Sequence, residues 1–541
     1  MKRRDFIKRT VPVSILPLFM GGFTFRAYGR SPHLESLLAT ATESDRVIVF
    51  IQLNGGNDGL NTVIPLDQYS ALTAARGNIA IDETKVLRLT DATGLHPAMT
   101  GLQSLFHDKK LCVVQSVGYP NPNFSHFRAT DIWLSASDSN QTLTTGWMGR
   151  YLDQEYPDYP NGYPNTVVPD PLAIQIGSVI STGLQGPSVS MGMALTSPTS
   201  FYQLVTGGTD TAPNTPAGHE LTFLREVAQQ TQQYAVSIQN AASSGNNLSP
   251  LYPAAGQNSL ADQLKIVAKL VSGGLKTRMY VVNLGGFDTH SAQVDGTAGN
   301  ETGTHATLLG KLSTAISAFQ DDLRLLGAED RVVGMTFSEF GRRILSNASS
   351  GTDHGAAAPM FIFGKKVYPA IYGNNPGIPA NATVTDNVAM QFDFRAVYSS
   401  LLVRWLNVPQ TELRTVMLKD FPIIPFINGS PVSKLDPLVP GIGKTAARTN
   451  REEAPARNAL RQNYPNPFNP ATQITFASNG ERVLIRVFDS IGRELQTLAD
   501  GVYPPGEHSV TFDASGLPAG VYYCRLQSGE IEQVRSMTLI K

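Results

Sequence analysis

The sequence predicts an α/β domain with a parallel β-sheet between helices, followed by a small antiparallel β-sandwich. Three patterns carry that reading. Four continuous apolar runs, at 46–53, 111–117, 278–284 and 331–337, each pass into a loop rich in Gly, Asn, Asp, Ser or His. Continuous rather than alternating runs fit strands covered on both faces. Between the last two runs, Leu308, Leu312, Ile316, Phe319, Leu323 and Leu326 recur at helical spacing over 305–327, which ends on a glycine. Strand, helix and strand in that order form a right-handed crossover, so the flanking strands are parallel. Two more helices are expected near 220–242 and 259–271. The third pattern is a set of short alternating runs near the end, at 473–476, 483–488, 508–512, 520–526 and 533–540, separated by Gly- and Pro-containing turns. That spacing predicts an Ig-like antiparallel sandwich.

The chain has 541 residues, enough for several domains, and 41% hydrophobic content fits a globular protein. Lys+Arg 43 against Asp+Glu 44 gives a net charge of −1, so no basic excess exists to bind a phosphate backbone, and nucleic acid is not an expected partner. Only two cysteines occur, Cys112 and Cys524, each in an apolar run; a disulfide framework is excluded and buried free thiols are expected.

Residues 1–30 read as an export signal. Lys2-Arg3-Arg4 precedes an apolar stretch over 10–25, then Ala27-Tyr28-Gly29. The stretch is short and broken by Pro12, Pro17, Gly21 and Gly22, so no membrane span is expected in the mature form. The paired arginines with Phe6-Ile7-Lys8 resemble a twin-arginine (Tat) signal, which implies the Tat translocase as a partner.

Residues 31–427 are assigned to the α/β domain, 428–455 to a linker and 456–541 to the sandwich. The last segment contains Tyr464-Pro465-Asn466-Pro467-Phe468-Asn469-Pro470, Phe488-Asp489-Ser490-Ile491-Gly492-Arg493-Glu494 and Phe512-Asp513-Ala514-Ser515-Gly516-Leu517-Pro518. Those motifs resemble the type A C-terminal sorting domain of the type IX (Por) secretion system. The resemblance implies export through the periplasm of a Gram-negative bacterium, secretion or cell-surface display, and the type IX machinery as a partner.

Ligands of open α/β sheets sit at the carboxyl ends of the strands. Asp58, Asp288, His290, Glu339, Asp353 and His354 all fall in or just after such loops. Mixed carboxylate and imidazole sets suit zinc or manganese, with calcium or magnesium as further divalent options. Ser125 follows the second strand and precedes a helix expected to begin near His126. It is a candidate nucleophile or anion-holder, and equally a simple N-cap. The spacing of Gly55, Gly56 and Gly59 is not that of a dinucleotide-binding loop.

The segments Gly55-Gly56-Asn57-Asp58-Gly59, Ser125-His126-Phe127, Gly146-Trp147-Met148-Gly149-Arg150, Gly286-Phe287-Asp288-Thr289-His290, Ser338-Glu339-Phe340-Gly341-Arg342 and Gly351-Thr352-Asp353-His354-Gly355 occur in order. They resemble the exported bacterial family known as domain of unknown function 1501, which is similar to the alkaline phosphatase and sulfatase superfamily. The resemblance implies an alkaline-phosphatase-like sheet with a metal-assisted site. Ser125, His126 and Arg342 are then the catalytic candidates, and Asp58, Asp288, His290, Glu339, Asp353 and His354 the metal ligands. Two registers stay open. Asp353-His354 is the superfamily's Asp-His pair, or Ser338-Glu339-Phe340-Gly341 takes that place and His354 is the last histidine. Either register has one ligand fewer than the superfamily pattern.

Two functions follow as expectations. One is a secreted metal-dependent hydrolase of phosphate or sulfate esters, acting on a small-molecule or glycan ester. The other is a non-catalytic surface binding protein on the same fold with a degenerate metal site.

Overall fold

A computed structural model describes residues 45–198, 234–427 and, with short gaps, 459–539. The expected signal segment and linker lie outside the described residues. The chain divides into two compact units, one ending at Pro440 and one starting at Gly441.

The first unit is built on β1 (Val47–Asn54), β2 (Leu111–Gly118), β3 (Ala173–Ile176), β4 (Met193–Leu195), β5 (Met279–Gly285), β6 (Val332–Phe337), β9 (Ala358–Phe363), β10 (Ile371–Tyr372) and β11 (Phe392–Asp393). A separate hairpin joins β7 (Arg342–Ser346) to β8 (Thr352–His354). The nine-stranded sheet runs β10-β2-β9-β6-β1-β5-β3-β4, with β11 also on β2. All four apolar runs of the sequence are strands of this sheet, and they point the same way. β1 lies between β5 and β6 and is parallel to both. β9 alone runs against its neighbours β2 and β6.

The apolar runs are continuous because successive side chains enter different cores. Ile48, Phe50, Cys112, Val114, Val281 and Met335 join one buried cluster, with helices α1 (His126–Ser135), α2 (Trp147–Glu155) and α5 (Phe394–Arg404). Val47, Val49, Val113, Val282 and Val332 join the other, with α3 (Ser259–Ser272) and α4 (Thr304–Leu325). The helices expected over 259–271 and 305–327 are therefore present within two residues of their expected ends. The helix expected over 220–242 is seen only from residue 234, continuing to 244; its earlier part lies outside the described residues. Both cysteines are buried and free.

The second unit contains β12 (Ala471–Ser478), β13 (Arg482–Phe488), β14 (Glu494–Val502), β15 (Gly506–Asp513), β16 (Gly520–Ser528) and β17 (Ile531–Leu539). β12 and β15 pair with each other, and Ala459–Leu460 extends them; β14, β13, β16 and β17 form a four-stranded sheet. Every pairing within these sheets is antiparallel. One core holds Phe468, Ile474, Phe476, Ile485, Phe512 and Leu526. β14 is the strand the sequence pattern did not reveal. It is an edge strand with only Ala499 buried, so it lacks the alternation that marks the others.

Candidate metal centre at the strand ends

The loops after β1, β2, β5 and β6 meet where the sequence placed the site. Gly55 has φ 122°, and a side chain there would fall 2.3 Å from the Asp288 backbone nitrogen, so the first and third loops touch only because that position is glycine. Beneath them lies Arg342, at the start of β7 and 1% exposed. Its guanidinium donates to the backbone oxygens of Gly55, Gly56, Phe287 and Thr352 and to Asp288 Oδ1 (2.7 Å). One cation therefore ties three loops together from within. It is sealed from solvent, so its contribution is to orient Asp288.

Three imidazoles surround Asp288, each held from behind at Nδ1. His126 Nδ1 donates to Glu339 Oε1 at 2.9 Å. His354 Nδ1 donates to the Phe124 carbonyl at 2.8 Å. His290 Nδ1 donates to Asp353 Oδ1 at 3.2 Å. Each ring therefore turns Nε2 inward. His290 Nε2 and His354 Nε2 lie 2.9 Å apart, each is 3.2 Å from Asp288 Oδ1, and His126 Nε2 is 3.5 Å from Asp288 Oδ2. With Nδ1 as the donor on every ring, these inward nitrogens present lone pairs to one another and to a carboxylate. Such a convergence of acceptors calls for a cation or added protons among them. His126, Asp288 and His354 offer ligand atoms within 4.8 Å of one another, a group that could hold a metal ion. Nitrogen and carboxylate donors with oxygen acceptors behind the rings fit zinc or manganese.

The charges agree. Burial raises the Asp288 pKa, but the Arg342 guanidinium bonded to it outweighs that and, with the nearby rings, brings it down to about 2. His354 is held below its ordinary value by burial, against the raising effect of its bond to the Phe124 carbonyl and of the nearby Asp288 carboxylate. An ionised carboxylate beside a neutral imidazole is the pairing a divalent cation needs.

The expected ligands therefore separate by position. Asp288, His290 and His354 converge, and His126, expected as catalytic, converges with them. Glu339 sits behind His126, 2% exposed, and also accepts from the Gly55 N–H at 2.8 Å. Asp353 is at the rim behind His290, where it also accepts from Asn347. Asp58 faces elsewhere: both of its oxygens lie 2.8 Å from Arg76 Nη1, and Oδ2 accepts from Gln293 Nε2 at 2.6 Å. Burial raises its pKa, but Arg76, then His305, more than offset that and leave it lowered. Ser125 is the N-cap of α1 by position, and its side chain makes no capping hydrogen bond.

Sequence reasoning missed Gln293. It is 0% exposed, and its Oε1 accepts from the hydroxyls of Thr289 (3.1 Å) and Thr352 (2.8 Å). One amide thus joins the loop bearing Asp288 and His290 to the strand bearing Asp353 and His354, and joins both to Asp58. Its place three residues after His290 was the only available signal. Arg76 had none, since nothing in the sequence pairs it with Asp58, 18 residues earlier.

A depression of about 560 Å³ opens on the cluster, lined by Gln52, Asn54, Phe127 and Thr130 together with His126 and Asp288. Another, of about 480 Å³, lies among Lys109, Lys110 and Lys365; Lys110 and Lys365 are paired with Glu329, and no member of the cluster lines it.

The fold and this centre together define an α/β protein with a His/Asp group that could hold a metal ion. Residues 45–403 match the family model described as Protein of unknown function (DUF1501), and the chain belongs to that family. Residues 462–541 match the secretion system C-terminal sorting domain, which implies handling by the type IX secretion system and a secreted or cell-surface location. No curated protein matches the sequence. Among solved structures, the chain is similar to a Bacteroides thetaiotaomicron protein described with the metabolism of multiple glycosaminoglycans (10% identity, 87% of this chain and 90% of that chain, TM-score 0.34). It is also similar to an alkaline phosphatase superfamily protein from Vibrio parahaemolyticus (10%, 93% and 92%, TM-score 0.31). A sulfatase from Pseudoalteromonas sp. is a further match (11%, 73% and 75%, TM-score 0.30). At such identities and scores these likenesses assign no activity. Among the described residues, no helix is long and apolar enough to cross a membrane.

Proposed function

We propose that the chain is an exported metal-dependent hydrolase of phosphate or sulfate esters, with His126, His290, His354 and Asp288 as the ligands. The observation that supports this reading is the tethering of three Nδ1 atoms by Glu339, Asp353 and the Phe124 carbonyl, which aims three Nε2 atoms at one carboxylate. When bound, the metal would polarise the ester oxygen and offset its charge. Glu339 fixes the tautomer of His126, and Arg342 keeps Asp288 ionised and oriented. Ser125 precedes His126 directly in the chain with its hydroxyl free of a capping bond, which suits a nucleophile or an anion-holder. The N–H groups at the start of α1 favour a negative charge beside it. Asp58, held by Arg76 and Gln293, serves the structure and is not a ligand in this reading.

The test is elemental analysis for Zn, Mn, Ca and Mg on the full chain and on Asp288→Ala and His354→Ala, followed by a screen of phosphate and sulfate esters. Bound metal that both substitutions remove, with metal-dependent turnover, is the expected result. Metal-loaded protein that turns over no ester would instead favour the surface binding protein. The observation behind that second reading is the Asp58–Arg76 ion pair, which takes one carboxylate away from the centre. Residues 1–30 are proposed as a Tat signal; Arg3→Lys with Arg4→Lys should then trap the chain in the cytoplasm.

A further inference from the structure

Phe127 is 90% exposed, although it follows His126 in the first turn of α1. Isolated apolar side chains on a surface are ordinary and need no explanation. Phe127 differs by its place: it lines the same depression of about 560 Å³ as His126, Asp288 and Glu339. The helix does not need it. Ala129 supplies the buried contact of that turn, and Arg128 is committed to Asp131 and to the carbonyls of Asp138 and Ser139. A polar residue would serve the helix better, because an aromatic side chain has only middling helix propensity.

The rest of the lining has the opposite character. Gln52, Asn54, Thr130 and Thr182 also line the depression. Among the described residues, none of these four side chains has a hydrogen-bond partner. An open aromatic face beside amides and hydroxyls with spare donors and acceptors is the complement of a pyranose. Such a ring has a face of C–H groups and an edge of hydroxyls. Sites that combine an apolar wall with a few convergent polar groups fix a ligand's orientation through the polar set. An alkyl chain would leave those amides and hydroxyls unpaired on burial, which opposes binding.

We propose that Phe127 is the stacking platform for a pyranose ring, so that the ester is carried by a glycan. The ester part rests on the hydrolase reading, whereas the sugar site stands on the depression itself. The two are separated by using ligands with and without the ester. The probes are lactose, lactose 6-sulfate, dodecyl sulfate and adenosine monophosphate, followed by saturation-transfer NMR on the full chain. The expected result is saturation of ring protons in both disaccharides. Affinity should fall about tenfold in Phe127→Ala and stay within about threefold in Phe127→Trp. His354→Ala should keep lactose binding while losing any preference for the sulfated sugar. An exposed side chain contributes little to folding, so unchanged melting temperatures should accompany both Phe127 variants. Neither disaccharide binding the wild type, equal binding by Phe127→Ala, or binding of dodecyl sulfate or the nucleotide in place of the sugars would each overturn the proposal. Loss of ester turnover with Phe127-dependent lactose binding intact would overturn only the hydrolase reading.

Discussion

Asp58 and Asp288 stand just beyond the carboxyl ends of the adjacent parallel strands β1 and β5, yet their surroundings differ. Asp58 is 1% exposed and locked by Arg76 and Gln293. Asp288 has a side chain 47% exposed and faces three imidazoles. Both carboxylates are held ionised, one by a dedicated buried cation and the other by Arg342 with a face left open. The place at a strand end is shared; what separates a structural acid from a ligand is whether its lone pairs are already taken.

The largest effect is expected at Asp58. Asp58→Ala strands the Arg76 charge in the interior, so unfolding free energy should fall by about 3–5 kcal/mol in a urea titration. Folded protein prepared at low temperature should still bind metal. A stability change below about 1 kcal/mol would show that the ion pair is not the buried tie described.

His354→Ala probes the other carboxylate's side. Metal affinity measured by competition with a chelator should fall about 100-fold or more, with metal-free stability little altered because the ring is partly exposed. Glu339→Gln should weaken binding about 10-fold, through the orientation of His126 rather than a lost ligand.

Gln293→Ala sharpens the link between the two regions. Two threonine hydroxyls and one Asp58 oxygen lose a buried partner, so stability should drop by about 1–3 kcal/mol. Metal affinity should fall as well, since the loops of Asp288 and of His354 are no longer joined.

The smallest effect is a pH slope. Burial lowers the pKa of His305 to about 4 and that of His96 to about 3. Between those values and the ordinary 6.5, the unfolded chain binds more protons than the folded one, so stability must fall as pH drops. Urea midpoints taken on metal-free protein from pH 7 to 4 should decline, and His96→Phe should flatten part of the slope. A midpoint that rises toward pH 4 would contradict the assignment of both rings as buried and neutral.

Much of the architecture was legible because sheet burial writes itself into the sequence. Runs such as 47–51 and 332–335 carry no polar side chain since both faces of the sheet are covered. β9 was missed because its run is short and carries Pro359, a residue that argues against a central strand. The candidate site was legible as a location, through Asp and His in glycine-flanked loops. The roles within it were not. Which carboxylate meets Arg76, and that His126 Nδ1 reaches Glu339 from 213 residues away, are decided by tertiary packing. Residue type alone made Asp58 and Asp288 equivalent, and His126 a helix-start neighbour of Ser125.

If three imidazoles and Asp288 form one metal centre, the coordination shell of the zinc-loaded protein must show it. X-ray absorption spectroscopy on the zinc-loaded full chain tests it most directly. Three imidazole nitrogens at about 2.0–2.1 Å with an oxygen completing the shell are the expected result. A shell of oxygens with one imidazole or none would contradict it.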